Sequence, residues 1–262
     1  MSKILFIGDI VGKGGRAITD AVLPELKARY QPDLVIANAE NAAHGNGLTR
    51  SIYFALTDDL KIDALTSGNH IWDNKDIFED TSVFRRLVRP VNFPPGVPLN
   101  DHLIIERNQK KIGIFNLMGR VFMNGYDDPF RAADQMIETL RAAGCTDIIL
   151  DFHAEATSEK AALAWYLDGR ISALIGTHTH VQTADERLLP SGTAFITDAG
   201  FTGGWNSIIG MKKEKIIPRF LTMLPSKFEP EETGPMQFNG VFLETNEQGK
   251  AVRIERIHLT RK

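Results

Sequence analysis

Two histidines separated by one residue, His178 and His180, follow the apolar run Ala173-Leu174-Ile175-Gly176-Thr177. Residues two apart in an extended segment point to the same side, so both imidazoles can face one cavity. Neutral imidazole is the commonest protein ligand for a transition metal, and metal binding is the chemistry this pair offers first. Taken alone, the pair serves equally well as surface or core-satisfying histidines. Other apolar runs, however, end in the same way. Asp9 follows residues 3–7, Glu40 and Asn41 follow 34–37, Asn69 and His70 follow 64–66, and His153 follows 147–152. Loops at strand ends are where a rigid scaffold displays reactive groups. Acid, amide and imidazole without thiolate suit iron, manganese or zinc better than a cysteine-rich structural zinc site. The donors Asp9, Glu40, Asn41, Asn69, His153, His178 and His180 are too many for one four-coordinate ion and suit two, if a carboxylate bridges. Two ions about 3.5–4 Å apart can hold a hydroxide and clamp a phosphoryl oxygen, which implies hydrolysis of a phosphate ester.

The elements that must position these residues read as strands alternating with helices. Helices are expected at 16–30, 50–60, 129–142 and 159–167, the third from the apolar spacing of Met136, Ile137 and Leu140. Strands are expected at 3–7, 34–37, 64–66, 147–152, 173–177, 193–197, 237–244 and 251–258. A hairpin turns around Asn108-Gln109, and the proline-bearing 85–98 segment reads as irregular. The pattern predicts an α/β fold, a layered mixed-sheet sandwich flanked by helices, as a single domain over 1–262. Residues 42–47 read as a mobile loop in which His44 is solvated or lines a site mouth. Residues 198–204 read as a flexible polar rim carrying Asp198.

Several residues have competing readings. Asp9 can cap the turn that follows it, since aspartate favours turns. The glycines at 12, 14 and 15 do not have the G-x-G-x-x-G spacing of a dinucleotide site. Ser67 with His70 as its base lacks a glycine-flanked nucleophile elbow. Cys145, His102 and His258 are expected to be structural. His70 follows a ligand candidate without being one. Within reach of a leaving-group oxygen, its imidazolium can donate the proton a departing alkoxide needs. Asp73, three residues on, either orients that ring or caps a helix.

Composition narrows the partners. A net charge of −3 with no basic block argues against binding duplex nucleic acid, while leaving a nucleotide open as substrate. The single cysteine allows no internal disulfide and suits a cytoplasmic location. No apolar run approaches the roughly 20 residues of a membrane span, and no signal segment is expected at the N-terminus.

Taken in order, Gly8-Asp9, Asn38-Ala39-Glu40-Asn41, Gly68-Asn69-His70, His153 and Gly176-Thr177-His178-Thr179-His180 resemble the calcineurin-like metallophosphoesterases. More closely they resemble the YmdB-type branch, bacterial phosphodiesterases described as acting on 2′,3′-cyclic nucleotides. The likeness extends to the runs 197–203 and 219–222. Two departures from the broad family match that branch: Val11 stands where a histidine is usual, and Glu40-Asn41 replaces a Gly-Asp pair. The resemblance implies that Asp9, Glu40, Asn41 and His180 hold one metal, and that Glu40, Asn69, His153 and His178 hold the other, with Glu40 bridging. It implies two divalent or trivalent ions, iron foremost, with manganese or zinc as alternatives. It implies a small phosphodiester or nucleotide substrate, and leaves a homo-oligomer open. A phosphomonoesterase with the same metals is a second reading. A regulatory or RNA-associated protein whose metal site is mainly structural is a third.

Overall fold

The computed structural model describes residues 1–262. The chain begins with β1 (Ser2–Ile7), β2 (Asp9–Ile10), α1 (Gly12–Tyr30), β3 (Leu34–Asn38), α2 (Arg50–Phe54), β4 (Ala64–Thr66) and α3 (Asp76–Glu79). It continues with β5 (His102–Arg107), β6 (Lys110–Met118), α4 (Pro129–Ala142), β7 (Cys145–His153), α5 (Thr157–Tyr166) and β8 (Ala173–Thr177). Last come β9 (Arg187–Leu188), β10 (Ala194–Ile196), β11 (Phe201–Gly204), α6 (Lys213–Thr222), β12 (Met236–Thr245) and β13 (Ala251–Arg261). One seven-stranded sheet has the order β2-β11-β12-β1-β3-β4, with β13 also on β12; a six-stranded sheet has the order β5-β6-β7-β8-β10-β9. β1, β3 and β4 are parallel, as are β6, β7, β8 and β10, whereas β12, β13, β5 and β9 pair antiparallel.

Period-two alternation explains how the layers form. Ile4 and Phe6 of β1 and Leu34 and Ile36 of β3 share one buried cluster with Ile114, Ile149 and Ile175 of the other sheet. Their neighbours Leu5, Ile7, Val35 and Ala37 pack instead with Ile18, Val22 and Leu26 of α1. On the far side, Leu150, Phe152 and Leu174 join Ile137 and Leu140 of α4 and Leu163 of α5. The result is a helix–sheet–sheet–helix sandwich with apolar cores on both faces of each sheet. At α4 the Asp128 carboxylate accepts from the Phe130 and Arg131 amides at 2.8 and 3.3 Å, with Pro129 preset for the first turn.

Two segments differ from the expectation. Residues 42–47 form a tight turn rather than a loose loop: the Ala43 amide donates to the Gly47 carbonyl at 3.0 Å, and Ala42, Ala43, Gly45 and Gly47 are buried. His44 and Asn46 are turned to solvent there. Residues 198–204 are not a rim. Asp198 is buried, and Phe201–Gly204 form β11, which joins β2 to β12. Two glycines that make this region look like a loop serve close packing: a side chain on Gly200 would meet Gln182, and one on Gly204 would meet Glu231. A side chain on Gly15 of α1 would fall on the Thr202 carbonyl.

Candidate metal centre

The inner face of the sandwich changes chemistry as its strands approach one end. Along β7 the inward positions run Ile149, Asp151, His153; along β3 they run Ile36, Asn38 and then Glu40; along β8 they run Ile175 and Thr177. Apolar packing thus gives way to a buried polar layer, and that layer to possible metal donors. In the polar layer the Asp151 carboxylate ties the sheets together. It accepts from Asn38 Nδ2 at 3.0 Å, Thr66 Oγ1 at 2.5 Å and Thr177 Oγ1 at 2.6 Å. Burial raises the Asp151 pKa, and the adjacent His153 and these donors oppose the rise.

Above that layer lie the predicted donors. His153 Nε2 is 3.0 Å from Asn69 Oδ1, 3.0 Å from His178 Nδ1 and 3.1 Å from Glu40 Oε1. Donor atoms of Glu40, His153 and His178 all lie within 4.8 Å of one another. Asn41 Nδ2 is 3.0 Å from Glu40 Oε1 and 3.2 Å from His180 Nε2, so the amide links the carboxylate to the second histidine of the pair. Asp9 borders the cluster: its Oδ2 accepts the His178 amide at 3.3 Å, and its buried Oδ1 has no partner. The seven donors predicted from the sequence are therefore in one place. Gly68 is required for this approach, because a Cβ there would collide with Glu40 Oε2 and the His153 ring.

Each histidine presents one nitrogen to the cluster and has a partner on the other. His153 Nδ1 meets Thr177 Oγ1 at 2.9 Å, His178 Nε2 meets Glu155 at 3.2 Å, and His180 Nδ1 meets the Ile209 carbonyl at 2.8 Å. A braced outer nitrogen is how a ligand histidine is oriented and its tautomer chosen. The donors also act strongly on one another. Burial would raise the Glu40 pKa, but the His153 imidazole and the His70 amide hold it down at about 2. Burial would lower His153, but Glu40 and the nearby carboxylates raise it to about 9. Burial, then the charge on His153, drive His178 down to about 3, and burial pushes Asp9 well up. Two imidazole nitrogens 3.0 Å apart can share only one proton. The facing nitrogens, the buried carboxylates and the unpartnered Asp9 oxygen fit a cation at their centre.

The backbone of the His-x-His turn is strained, with φ of 96° at His178 and 63° at His180, a region few non-glycine residues adopt. A buried ion pair holds it there. Asp198 Oδ2 accepts from Lys160 Nζ at 2.7 Å, from the Thr179 amide at 3.1 Å and from Thr179 Oγ1 at 2.8 Å. Lys160 also donates to the Thr177 carbonyl at 2.7 Å. Sequence reasoning does not single out Lys160, Asp151 or Glu155. A lone charge within an apolar run, as in Ile148-Ile149-Leu150-Asp151-Phe152, is the available signal for Asp151.

His70 sits at the edge of the cluster. Its amide donates to Glu40 Oε2 at 3.1 Å, and its Nδ1 pairs with Asp73 Oδ2 at 2.7 Å, leaving Nε2 free. Glu40, Asn41, His70, His178 and His180 line a cavity of about 530 Å³. Ser67 is excluded as a nucleophile by its buried hydroxyl, which donates to the Val88 carbonyl at 2.7 Å. Cys145 is buried, His258 bonds Asn239 at 2.7 Å, and His102 bonds Asp101 at 2.7 Å, all outside the cluster.

Residues 5–257 match the model of a family described as YmdB-like protein. The chain is 51% identical over 257 residues to the 2′,3′-cyclic-nucleotide 2′-phosphodiesterase of Bacillus subtilis strain 168, covering 97% of this chain and 96% of that one. Among solved structures it is similar to a novel phosphatase of Mycoplasma pneumoniae, with a TM-score of 0.92 and 37% identity over 99% of this chain and 95% of that one. A hypothetical protein of Thermus thermophilus superposes with a TM-score of 0.91 at 41% identity, over 99% of this chain and 100% of that one. With nearly the whole length matched, the chain belongs to the YmdB-like family.

Proposed function

We propose that this protein is a metal-dependent phosphodiesterase that opens 2′,3′-cyclic nucleotides, with residues 1–262 working as one domain. The observation that carries this reading is the braced histidine set facing Glu40 and the unpartnered Asp9 oxygen. In this reading Asp9, Glu40, Asn41 and His180 would hold one ion, and Glu40, Asn69, His153 and His178 would hold a second. The bound metals, iron foremost with manganese or zinc as alternatives, would polarise the phosphoryl group and lower the pKa of water at the site. The remaining work falls to the chain. Hydrolysis adds the oxygen of water to phosphorus, releasing one water proton to solvent, and breaks the P–O2′ bond. His70, whose Nδ1 is fixed by Asp73, gives its Nε2 proton to the departing O2′, leaving a 3′-phosphate. Asp151, through Thr177, and Glu155 keep the ligand rings in place.

The similarity to a protein described as a phosphatase favours one rival, a phosphomonoesterase using the same metals. Metal-loaded protein assayed with a 2′,3′-cyclic nucleotide, a generic diester and a phosphomonoester separates the two. Diester turnover that disappears on chelation is the expected result. Turnover of the monoester alone would replace the proposed reaction, and two bound metals without any turnover would leave a structural or regulatory centre.

A further inference from the structure

The cavity above the metal donors has a second wall of different character. It is made by Ile209, Met211, Ile216, Arg219, Phe220 and Phe228. Phe220 is 76% and Phe228 49% exposed, far from core residues. The Arg219 guanidinium lies over the Phe228 ring, 4.8 Å from its centroid. Neighbouring lysines are neutralised, since Lys212 and Lys215 both engage Glu229 at 3.4 and 3.7 Å. Arg219 has no carboxylate partner and keeps its planar donor fork for something else.

This wall also has a firm mount. α6 is anchored at its first half, where the Lys212 amide donates to the Glu229 carbonyl at 2.8 Å and Ser226 Oγ donates to the Lys215 carbonyl at 3.0 Å. Its last turn closes on Met223, whose amide donates to the Arg219 carbonyl at 2.8 Å. Arg219 and Phe220 are thus carried on a tied helix facing the donors across one cavity of about 530 Å³. A volume of this size accepts a small ligand of nucleotide dimensions. A phosphate held at the donor end leaves the rest of such a ligand, a flat aromatic ring system edged with oxygen and nitrogen acceptors, against the aromatic–guanidinium wall. Stacking accepts any base face, and the guanidinium fork meets base acceptors.

We propose that Phe220, Phe228 and Arg219 form the nucleobase-recognition wall of this enzyme, making it selective for nucleoside cyclic diesters over diesters that lack a base. The inference rests on the phosphodiesterase reading above and adds the residues that choose the substrate. Base-on-aromatic stacking predicts that Phe220→Ala and Arg219→Ala each raise KM for a 2′,3′-cyclic nucleotide about tenfold to a hundredfold. The change in kcat should be much smaller. For methyl p-nitrophenyl phosphate, which has no base, the same substitutions should cost far less, so the ratio of kcat/KM for the two substrates collapses. Arg219→Lys should fall between wild type and Arg219→Ala. Leu221→Ala, on the same turn but outside the cavity, is the control.

Several results would overturn the proposal. Equal losses on both diesters, or a loss in Leu221→Ala matching that in Phe220→Ala, would mean that helix integrity and not base contact is being measured. Unchanged KM in both wall variants would place the base elsewhere. If wild-type protein turns over the small diester but shows no preference for the nucleotide, this inference fails while the diesterase reading stands. If wild type hydrolyses neither diester, the reading falls and takes the inference with it.

Discussion

The cavity joins two regions built on opposite terms. Its donor end is largely buried, strung on strand ends of both sheets, and held by Thr177, Asp151, Glu155 and the Lys160–Asp198 pair. The α6 end stands in solvent, with Phe220, Leu221 and Met223 at 76, 79 and 87% exposed. A change at the donor end disturbs a packed polar network, whereas a change on α6 disturbs little besides what enters the cavity. On the proposed reading the contrast separates chemistry from selection. Donor-end variants should lose metal and rate together, and α6 variants should lose preference.

The largest effect is expected at the carboxylate that touches both halves of the donor set. Glu40→Gln should lower bound metal per chain and bring diester turnover down to that of metal-free protein. Elemental analysis beside the assay checks both, and full turnover with full metal would break the contrast at its strongest point. His70→Ala should act on rate alone. A lost general acid costs about 10²–10⁴ in kcat, with metal content unchanged. Asp73→Asn should cost less, because the imidazole survives and only its orientation suffers.

Lys160→Met tests whether bracing reaches the ligands. It leaves the Asp198 carboxylate buried and unpaired, a loss of about 3–5 kcal/mol in denaturant unfolding. Metal affinity, measured where the variant is folded, should also fall by about 10–100-fold, as for other residues that orient ligands. Reduced stability with wild-type affinity would confine the pair to folding.

The smallest effect lies far from the site and serves as a reference. Tyr30 Oη donates to Glu255 Oε1 at 2.5 Å. Burial and that bond raise Tyr30 to about 12, and the same bond lowers Glu255. The raised Tyr30 contribution is fully present below its unfolded pKa near 10 and lost as pH rises through about 12. The lowered Glu255 contribution is present above its unfolded pKa near 4.3 and lost as pH falls through the folded value. Tyr30→Phe should therefore cost about 1 kcal/mol across the neutral range, with the difference from wild type shrinking at both extremes. Diester turnover should not change.

The donor end was legible in the sequence because buried strands are written as apolar runs, against which Asp9, Glu40, Asn69, His153 and His178 stand out. The same alternation carried the sandwich, since Ile4 and Phe6 face one core while Leu5 and Ile7 face another. The bracing is harder to read. Lys160 and Asp198 are 38 residues apart, and neither shows locally that the other will neutralise it. Asp198 reads as a rim residue because the run from Asp198 to Gly204 has a loop's composition. Gly200 and Gly204 in fact sit close against Gln182 and Glu231, and it is Gly15 of α1 that lets the helix approach Thr202 of β11. Nor does any local pattern show that α6 will close over the donors, because helix periodicity predicts a buried face and not which cavity the exposed one borders.

Metal stoichiometry measured with turnover tests the central claim most directly. Metal-free protein would be titrated with Mn²⁺ while hydrolysis of a 2′,3′-cyclic nucleotide is followed. The account predicts two ions per chain, with turnover appearing as the second loads, and a single retained ion with little turnover in Asn69→Ala. Full turnover at one ion per chain, or turnover that persists after complete chelation, would contradict it.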